Sequence, residues 1–342
     1  MNVKQRVLIW TATAMVVLVT GVAAWRSMPD FPRLHLREPV LTLPDPNIVL
    51  NPRQGGRPLL LVVIENTPQA RPQAGLADAC LVYALPTEAL ITRFMAAFCQ
   101  RAPKVIGPVR SVRRHMLDIA SDVGGILVHA GQSEEARQVI AGNGLPVINQ
   151  FTRPGPFWRD PARQMPHNLY TGFDRLLVEL EQRPIRTPER KLPYSFSYDG
   201  SAEVTASSAP AAVVSLNYGA LYDVRYVYDA SKRRYLREQA GRPHLDADGR
   251  QIAAASVLVA FIRWRDVLVN GSPSSQIDLV GGGRLAIVTA GHVLEGRWTR
   301  SIGGPLEMTD GGGRSLVLPP GPVWIELFPV DRPFEVHADA TR

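Results

Sequence analysis

The sequence predicts an α+β fold, with an N-terminal α/β sheet domain followed by a mainly antiparallel β domain. Three observations predict it. Up to residue 185, apolar strand-like runs alternate with capped helical segments. After residue 205 the runs become short, β-branched and aromatic, separated by turn dipeptides such as Asp248-Gly249 and Asn270-Gly271. Between them, Arg183–Pro210 is rich in Pro, Ser and Arg and marks the boundary. The 342 residues suit about two domains, and 45% hydrophobic against 20% charged residues is enough apolar material for buried cores.

The elements follow in order. "VLIWTATAMVVLVTGVAA" (Val7–Ala24) has no charge, follows Lys4 and Arg6, and is just long enough to cross a bilayer as a helix. Residues 1–25 are therefore expected to be a transmembrane anchor or a signal segment. A retained helix leaves the rest of the chain membrane-anchored outside the cytoplasm, periplasmic or at the cell surface. Cleavage at Val22-Ala23-Ala24 releases it as a secreted protein. The apolar run exceeds the usual signal core of about 7–15 residues, which favours the anchor. Residues 26–56 are Pro-rich and read as a linker.

Residues 57–185 form the α/β domain. "RPLLLVVIENT", "ACLVYAL" and "ITRFMAAF" read as strands, the last two joined by a turn at Glu88–Ile91. "VIGPV" leads into a helix for which Ser111 is the expected N-cap. "GGILVHAG" is a strand that passes into a helix capped by Ser133 and stopped by Gly142 or Gly144. Thr171 with Asp174 resembles a capping box before "RLLVELEQ". In residues 205–335, "AAVVSLNYG", "DVRYVYD", "RYLRE", "SVLVAFIRW", "SQIDLVG", "RLAIVTAG", "VLEGRWTR" and "VWIELFPV" read as strands.

The formal net charge is +7, and Lys4, Lys104, Lys191 and Lys232 are the only lysines, so the positive charge is nearly all arginine. Export from the cytoplasm makes nucleic acid an unexpected partner despite that charge. For Cys80 and Cys99, which flank the expected hairpin, a cross-strand disulfide and two buried free thiols both remain open. Their apolar flanks speak against a catalytic thiol.

The candidate chemistry starts at "VIGPVRSVRRHMLDIAS" (Val105–Ser121). Arg110, Arg113 and Arg114 crowd an expected helix start, where cations are unfavourable unless an anion sits among them. The competing reading pairs each arginine with an acid of the same chain. In "LVHAGQSEE", His129 ends a strand and Gly131 would let backbone approach a ligand, or His129 is a bonded core residue. "FWRD" and "PHNLYT" share a long loop, in which Asp160 and His167 could act as an acid/base pair with Arg159 and Asn168 lining the same cleft. The alternative is a folded-over loop with Trp158 packed inside. Glu88, with Arg93 five residues later, adds a carboxylate candidate. "GGGR" (Gly281–Arg284) is no phosphate loop, because a strand follows and the Lys-Ser/Thr is missing. "HLDADG" lacks the closing acid of a calcium loop and reads as a hairpin turn, and His292 fits a turn too. Neither a metal nor a cofactor is expected.

Longer motifs carry a resemblance. "RPLLLVVIENTPQARPQAGLADACLVYALPTEALITRFMAAF", "IGPVRSVR", "LVHAGQSEEA", "FWRD" and "PHNLYT" are similar to the N-terminal domain of the DUF3048 family of YerB-like envelope proteins. "RRYLREQAGRPHLDADGRQIAAASVLVAF", "LVGGGRLAIV", "EGRW" and "PGPVWIELFP" are similar to its C-terminal domain. The resemblance implies an exported, membrane-tethered bacterial protein and no particular reaction. Many members look like lipoproteins. In this sequence the first cysteine is Cys80, so the Val7–Ala24 helix is expected to be the tether. A shorter stretch, "ADACLVYALPTEALITRFMAAFCQRAPKVIGPVRSVR", resembles LytR-CpsA-Psr cell-wall ligases, which implies Asp78, Arg93, Arg110 and Arg113 around a pyrophosphate. The functional expectation is a tethered envelope protein that binds a phosphate-bearing cell-wall or lipid intermediate, with processing of it left open. Arg110 and Arg113 would grip the anion, and whether the chain is an enzyme stays open. The alternative is a non-catalytic extracytoplasmic scaffold.

Overall fold

The computed structural model describes residues 59–98, 103–186, 192–197 and 208–339, all within one compact unit, Pro44–Arg342. The Val7–Ala24 segment, the linker and Cys99 lie outside the described residues. No described helix is long and apolar enough to cross a membrane. The first half runs β1 (Leu60–Glu65), β2 (Leu81–Pro86), β3 (Thr92–Phe98), α1 (Arg114–Asp122), β4 (Ile126–His129), α2 (Glu134–Asn143), β5 (Val147–Asn149), β6 (Phe157–Arg159), β7 (Leu169–Thr171), α3 (Phe173–Gln182) and β8 (Tyr194–Phe196). The second half continues with β9 (Ala209–Pro210), β10 (Val213–Leu216), β11 (Val224–Asp229), β12 (Arg234–Gln239), β13 (Arg242–Pro243), β14 (Ala253–Ala254), β15 (Ser256–Val269) and β16 (Ser272–Asp278). It closes with β17 (Gly281–Thr289), β18 (His292–Arg300), β19 (Glu307–Asp310), β20 (Leu316–Leu318), β21 (Val323–Pro329) and β22 (Phe334–His337).

A mixed α/β sheet and an antiparallel β sheet make up the fold, as the sequence predicts. The mixed sheet has twelve described strands, with the path β19-β18-β17-β15-β21-β2-β3-β1-β4-β5 and with β16 and β9 attached to β15 and β18. Its central strands β1, β2, β3, β4 and β21 are buried along their full length and nearly all apolar, because both of their faces are covered. Leu60, Val62 and Ile64 of β1 enter one core, while Leu61 and Val63 enter the other. The first core lies against the second sheet, β13-β12-β11-β10-β22 with β14 on β12. The second core takes Met116, Leu117 and Ala120 of α1 and Ala136 of α2. The sheet also runs across the two halves of the chain: β21 lies between β2 and β15 and is parallel to both.

Two expected caps are corrected. Helix α1 starts at Arg114 with Arg113 as its cap residue, so Ser111 is not the N-cap. Residues 109–112 are held extended instead: Val109 bridges Ile64, Arg110 N–H donates to Val63 O at 2.9 Å, and Val112 bridges Gln132. Thr171 belongs to β7, and its hydroxyl donates to Pro156 O at 3.1 Å, leaving Gly172 to cap α3. The α2 expectation holds, with Ser133 Oγ accepting from Ala136 N–H at 3.3 Å and Gly144 ending the helix at φ 59°. The turn after β2 spans Glu88–Leu90 and closes the expected hairpin. Cys80 is disulfide-bonded, in line with an oxidising compartment.

A chain of buried polar groups crosses the first core. Glu326 is fully buried; it accepts from Tyr226 Oη at 2.6 Å and Tyr218 Oη at 3.0 Å, and Arg237 Nη2 lies 3.8 Å away. The Arg237 guanidinium sits 4.8 Å from the Trp324 ring centre and 5.2 Å from that of Phe94. It also donates to His244 Nδ1 at 2.5 Å, so the imidazole carries its proton on Nε2 and donates to Gln73 Oε1 at 2.9 Å. Gln73 donates to Asn66 Oδ1 at 2.9 Å, and Asn66 donates to Thr92 Oγ1 at 2.7 Å. Every member has the donor or acceptor its neighbour lacks, so the seam is satisfied in one arrangement only. Arg237→Ala strands the Glu326 carboxylate and is expected to cost ~3–5 kcal/mol in urea unfolding. A loss below about 1 kcal/mol would show that Glu326 does not depend on it.

Candidate functional site

Strands β1 and β4 run parallel from Leu60↔Ile126 to Val62↔Val128. Beyond that point residues 109–110 wedge between them, since Arg110 N–H bonds Val63 O and Ala130 N–H bonds Arg110 O at 3.0 Å. Splayed carboxyl ends of parallel strands are where sheets of this kind collect ligands. The wedge places Arg110 beside Glu65, the last residue of β1.

Glu65 is 1% exposed and is the hub of the site. Its Oε1 accepts from the Thr67 hydroxyl at 2.8 Å and from His167 Nδ1–H at 2.9 Å. Its Oε2 lies 3.2 Å from Arg110 Nε, an ion pair without good hydrogen-bond alignment. Across the β1–β3 ladder Glu65 faces Arg93, whose Nη1 donates to Ser111 O at 2.9 Å. Next to it Arg113 grips Glu88 with two bonds, Nε to Oε1 at 2.6 Å and Nη2 to Oε2 at 2.9 Å. Arg114 pairs with Asp118 along its own helix.

The charge balance is uneven. Three guanidinium groups, Arg93, Arg110 and Arg113, meet two carboxylates, Glu65 and Glu88. Burial, with Arg113 and Arg110 nearby, holds Arg93 down to about 9. Burial alone would raise Glu88, but the bonds from Arg113 outweigh it and hold the carboxyl below its usual range.

The other expected residues fall into two further groups. Asn168, 5% exposed, accepts from Arg159 Nη1 at 2.7 Å and donates to Asp160 O and Arg163 O, both at 3.2 Å. These bonds fold "FWRD" against "PHNLYT" as the β6–β7 hairpin, with Trp158 stacked near Tyr170 and under Arg175. The Asp160 carboxylate accepts from Ala162 N–H at 2.9 Å, and the His167 ring turns to Glu65 instead. Asp160 and His167 thus do not meet as a pair. His129 is fully buried and donates from Nδ1 to Gly131 O at 2.8 Å, while its Nε2 is buried without a partner. Burial holds this imidazole down to about 4 despite that bond. Gly131 is glycine because the turn there has φ 76°. Asp78 ends up in an ion pair with Arg250 at 2.8 Å, on the hairpin Leu245–Gln251, and not in the Glu65 cluster. Among the described residues no group of three His, Cys, Asp or Glu gathers as metal ligands.

Sequence reasoning passed over Glu65 and His115. The signal for Glu65 was a lone carboxylate ending a run of apolar residues. His115, in the first turn of α1, is 4% exposed, and burial together with Arg113 holds it down to about 3.

Residues 48–186 match the family described as "Protein of unknown function (DUF3048) N-terminal domain", and residues 214–325 match its C-terminal domain. The chain belongs to the DUF3048 family. Within it, the chain is 29% identical over 273 residues to "Putative lipoprotein YerB" of Bacillus subtilis (strain 168), covering 78% of this chain and 80% of that protein. The crystal structure of the YerB protein from Bacillus subtilis superposes with a TM-score of 0.69 at 29% identity, covering 79% of this chain and 90% of that one. The DUF3048 N-terminal match contains the whole Glu65 cluster, while its polar seam runs on into the C-terminal match through Arg237 and His244.

The buried imidazoles make stability depend on pH. Above about 6.5 His129 is neutral whether folded or unfolded. Below that the unfolded chain takes the proton first, so stability falls as pH drops towards about 4. The expected contribution is about 3 kcal/mol. His129→Gln should flatten the urea midpoint between pH 7 and 4 relative to the parent chain. An unchanged pH slope would mean that this ring is not held neutral.

Proposed function

We propose that the chain is a membrane-tethered extracytoplasmic module that works by binding, without chemistry of its own, and that the Glu65 cluster is a structural clasp. The observation that carries this reading is the pairing of the arginines. Arg110 is committed to Glu65, Arg113 to Glu88 and Arg159 to Asn168, and the expected proton-transfer pair is split. Arg110, expected at the helix end, lies on the extended segment before α1, and only Arg113 and Arg114 stand at the helix start, each paired with an acid. The tether is assigned to Val7–Ala24, and the lipoprotein relative supports an envelope location by a different attachment.

A second reading keeps an anionic, phosphate-bearing ligand at the cluster. The cationic surplus of Arg93, Arg110 and Arg113 over Glu65 and Glu88 favours it.

Thermal melting of the full chain separates the two. As a clasp, Arg110→Ala leaves Glu65 buried with one fewer partner and is expected to cost about 2–3 kcal/mol, less than a fully buried pair because Arg110 is partly exposed. Phosphate-bearing cell-wall intermediates should then shift the parent and Arg110→Ala by the same amount. A ligand-dependent rise in the parent that disappears in Arg110→Ala overturns the clasp. For the tether, deletion of residues 1–25 should move the protein from the membrane to the soluble fraction, and unchanged membrane association would refute the assignment.

A further inference from the structure

The arginines of the second half are held quite differently. Strand β17 pairs with β15 from Ser256↔Thr289 to Ala260↔Leu285 and then leaves it. From Arg263↔Asp278 onward β15 pairs with β16, while Gly281–Arg284 keep only β18. The sheet therefore forks, and the fork holds a cavity of about 340 Å³, within the range of small-ligand sites. Trp298 closes its base by donating from Nε1 to Phe261 O at 2.8 Å. Gly283 makes room for this: a Cβ there would lie 2.5 Å from Trp298 Nε1 and 2.7 Å from Phe261 O. This gives "GGGR" a packing role, and its three glycines open β17, ahead of the strand expected to follow them from Arg284.

The cavity is apolar on one side and cationic on the other. Phe334 lines it, and Val280 and Val330 stand at its mouth, 51% and 56% exposed. Arg263, Arg284 and Arg332 face a single lining carboxylate, Asp278. Arg284 is committed, since it stacks 4.5 Å from the Phe261 ring centre and bonds Glu295 at 3.0 and 2.7 Å. The other two are not. Arg263 reaches Asp278 through one 3.1 Å contact between side chains 75% and 46% exposed, a pair of little worth. Among the described residues the Arg332 guanidinium has no hydrogen-bond or ion-pair partner. Unlike Arg110, whose departure would strand the buried Glu65, these cations can turn to a guest without stranding a buried acid.

We propose that the β15–β17 fork binds a small organic anion, with one carboxylate or phosphate held by Arg263 and Arg332 and an apolar or ring-shaped body seated on Phe334, Val280 and Val330. A bare inorganic anion would leave the apolar wall unused, and a neutral ring would leave the guanidinium groups unused. The inference stands apart from the clasp reading, because it uses none of the same residues.

The test is a thermal-shift titration of the full chain with phenyl phosphate, benzoate, inorganic phosphate and benzyl alcohol. Phenyl phosphate or benzoate should raise the melting temperature with concentration, and whichever acts identifies the head group. Inorganic phosphate and benzyl alcohol at the same concentrations should raise it less. Arg263→Ala with Arg332→Ala changes two exposed side chains and should weaken binding at least tenfold. Val280→Asp should weaken it through the apolar wall, and Arg110→Ala should leave it intact. The proposal is overturned if neither aromatic anion shifts the parent, if inorganic phosphate does as well as they do, or if the shift survives loss of both arginines.

Discussion

The burial of Arg237 against Glu326 constrains everything around it. A guanidinium 1% exposed and a carboxylate fully buried can share a core only if their remaining bonding groups are met. Tyr218 and Tyr226 meet those of Glu326, and Gln239 and His244 take two of those of Arg237. His244 then needs an acceptor, which fixes Gln73, and Gln73 in turn fixes Asn66 and the main-chain carbonyl of Glu65. A demand raised in the second half of the chain thus sets the path of the segment that leaves β1. The position of Glu65 is a consequence of that path, and Arg110 and His167 arrange themselves around it.

Charge pairing then divides the arginines by what they are free to do. Glu65 is almost wholly desolvated, so Arg110 serves chiefly to keep a carboxylate tolerable in a dry place. A ligand that drew Arg110 away would have to compensate the stranded acid before it gained anything. No such debt attaches to Arg332, and almost none to Arg263, whose partner Asp278 is open to water. The arginine excess of the sequence is therefore a poor guide to binding until each guanidinium is assigned its acid.

Much of the fold is legible in the residues. The aliphatic run Leu59–Val63 announces a strand covered on both faces, and the cores on its two sides bear that out. Ser133 before Glu134 and Glu135 announces α2 correctly, because an N-cap is a local matter. Ser111 and Thr171 misled for the complementary reason. Both are good local caps, but their backbone is claimed by distant segments: residues 109–110 by β1, and Thr171 by Ile106. The site was legible only as a set of suspicious residues. Glu65 and His167 are 102 positions apart and Gln73 and His244 are 171 apart, separations at which no spacing rule operates. What the sequence did offer was a lone acid in an apolar strand, as in "LLVVIE" and "VWIELF". Such an acid implies a buried partner without naming it.

The shared sheet argues against assigning one function to each half. Strand β21 covers the edge of β2 and the edge of β15 at once, and β2 would present a fully apolar edge without it. Asp246, on the hairpin after β13, reaches back to accept from the N–H groups of Gly75 and Leu76 at 3.0 and 3.1 Å. Arg250 beside it clasps Asp78 through two bonds. The loop 66–78 is thus shaped by the second half as well as by its own neighbours. A ligand in the β15–β17 fork would press on β15, which is bonded to β21 and through it to β2. The fork and the Glu65 clasp therefore lie on one continuous hydrogen-bonded sheet yet share no side chain, and a common backbone without a two-state element that both sites bias leaves them energetically separate.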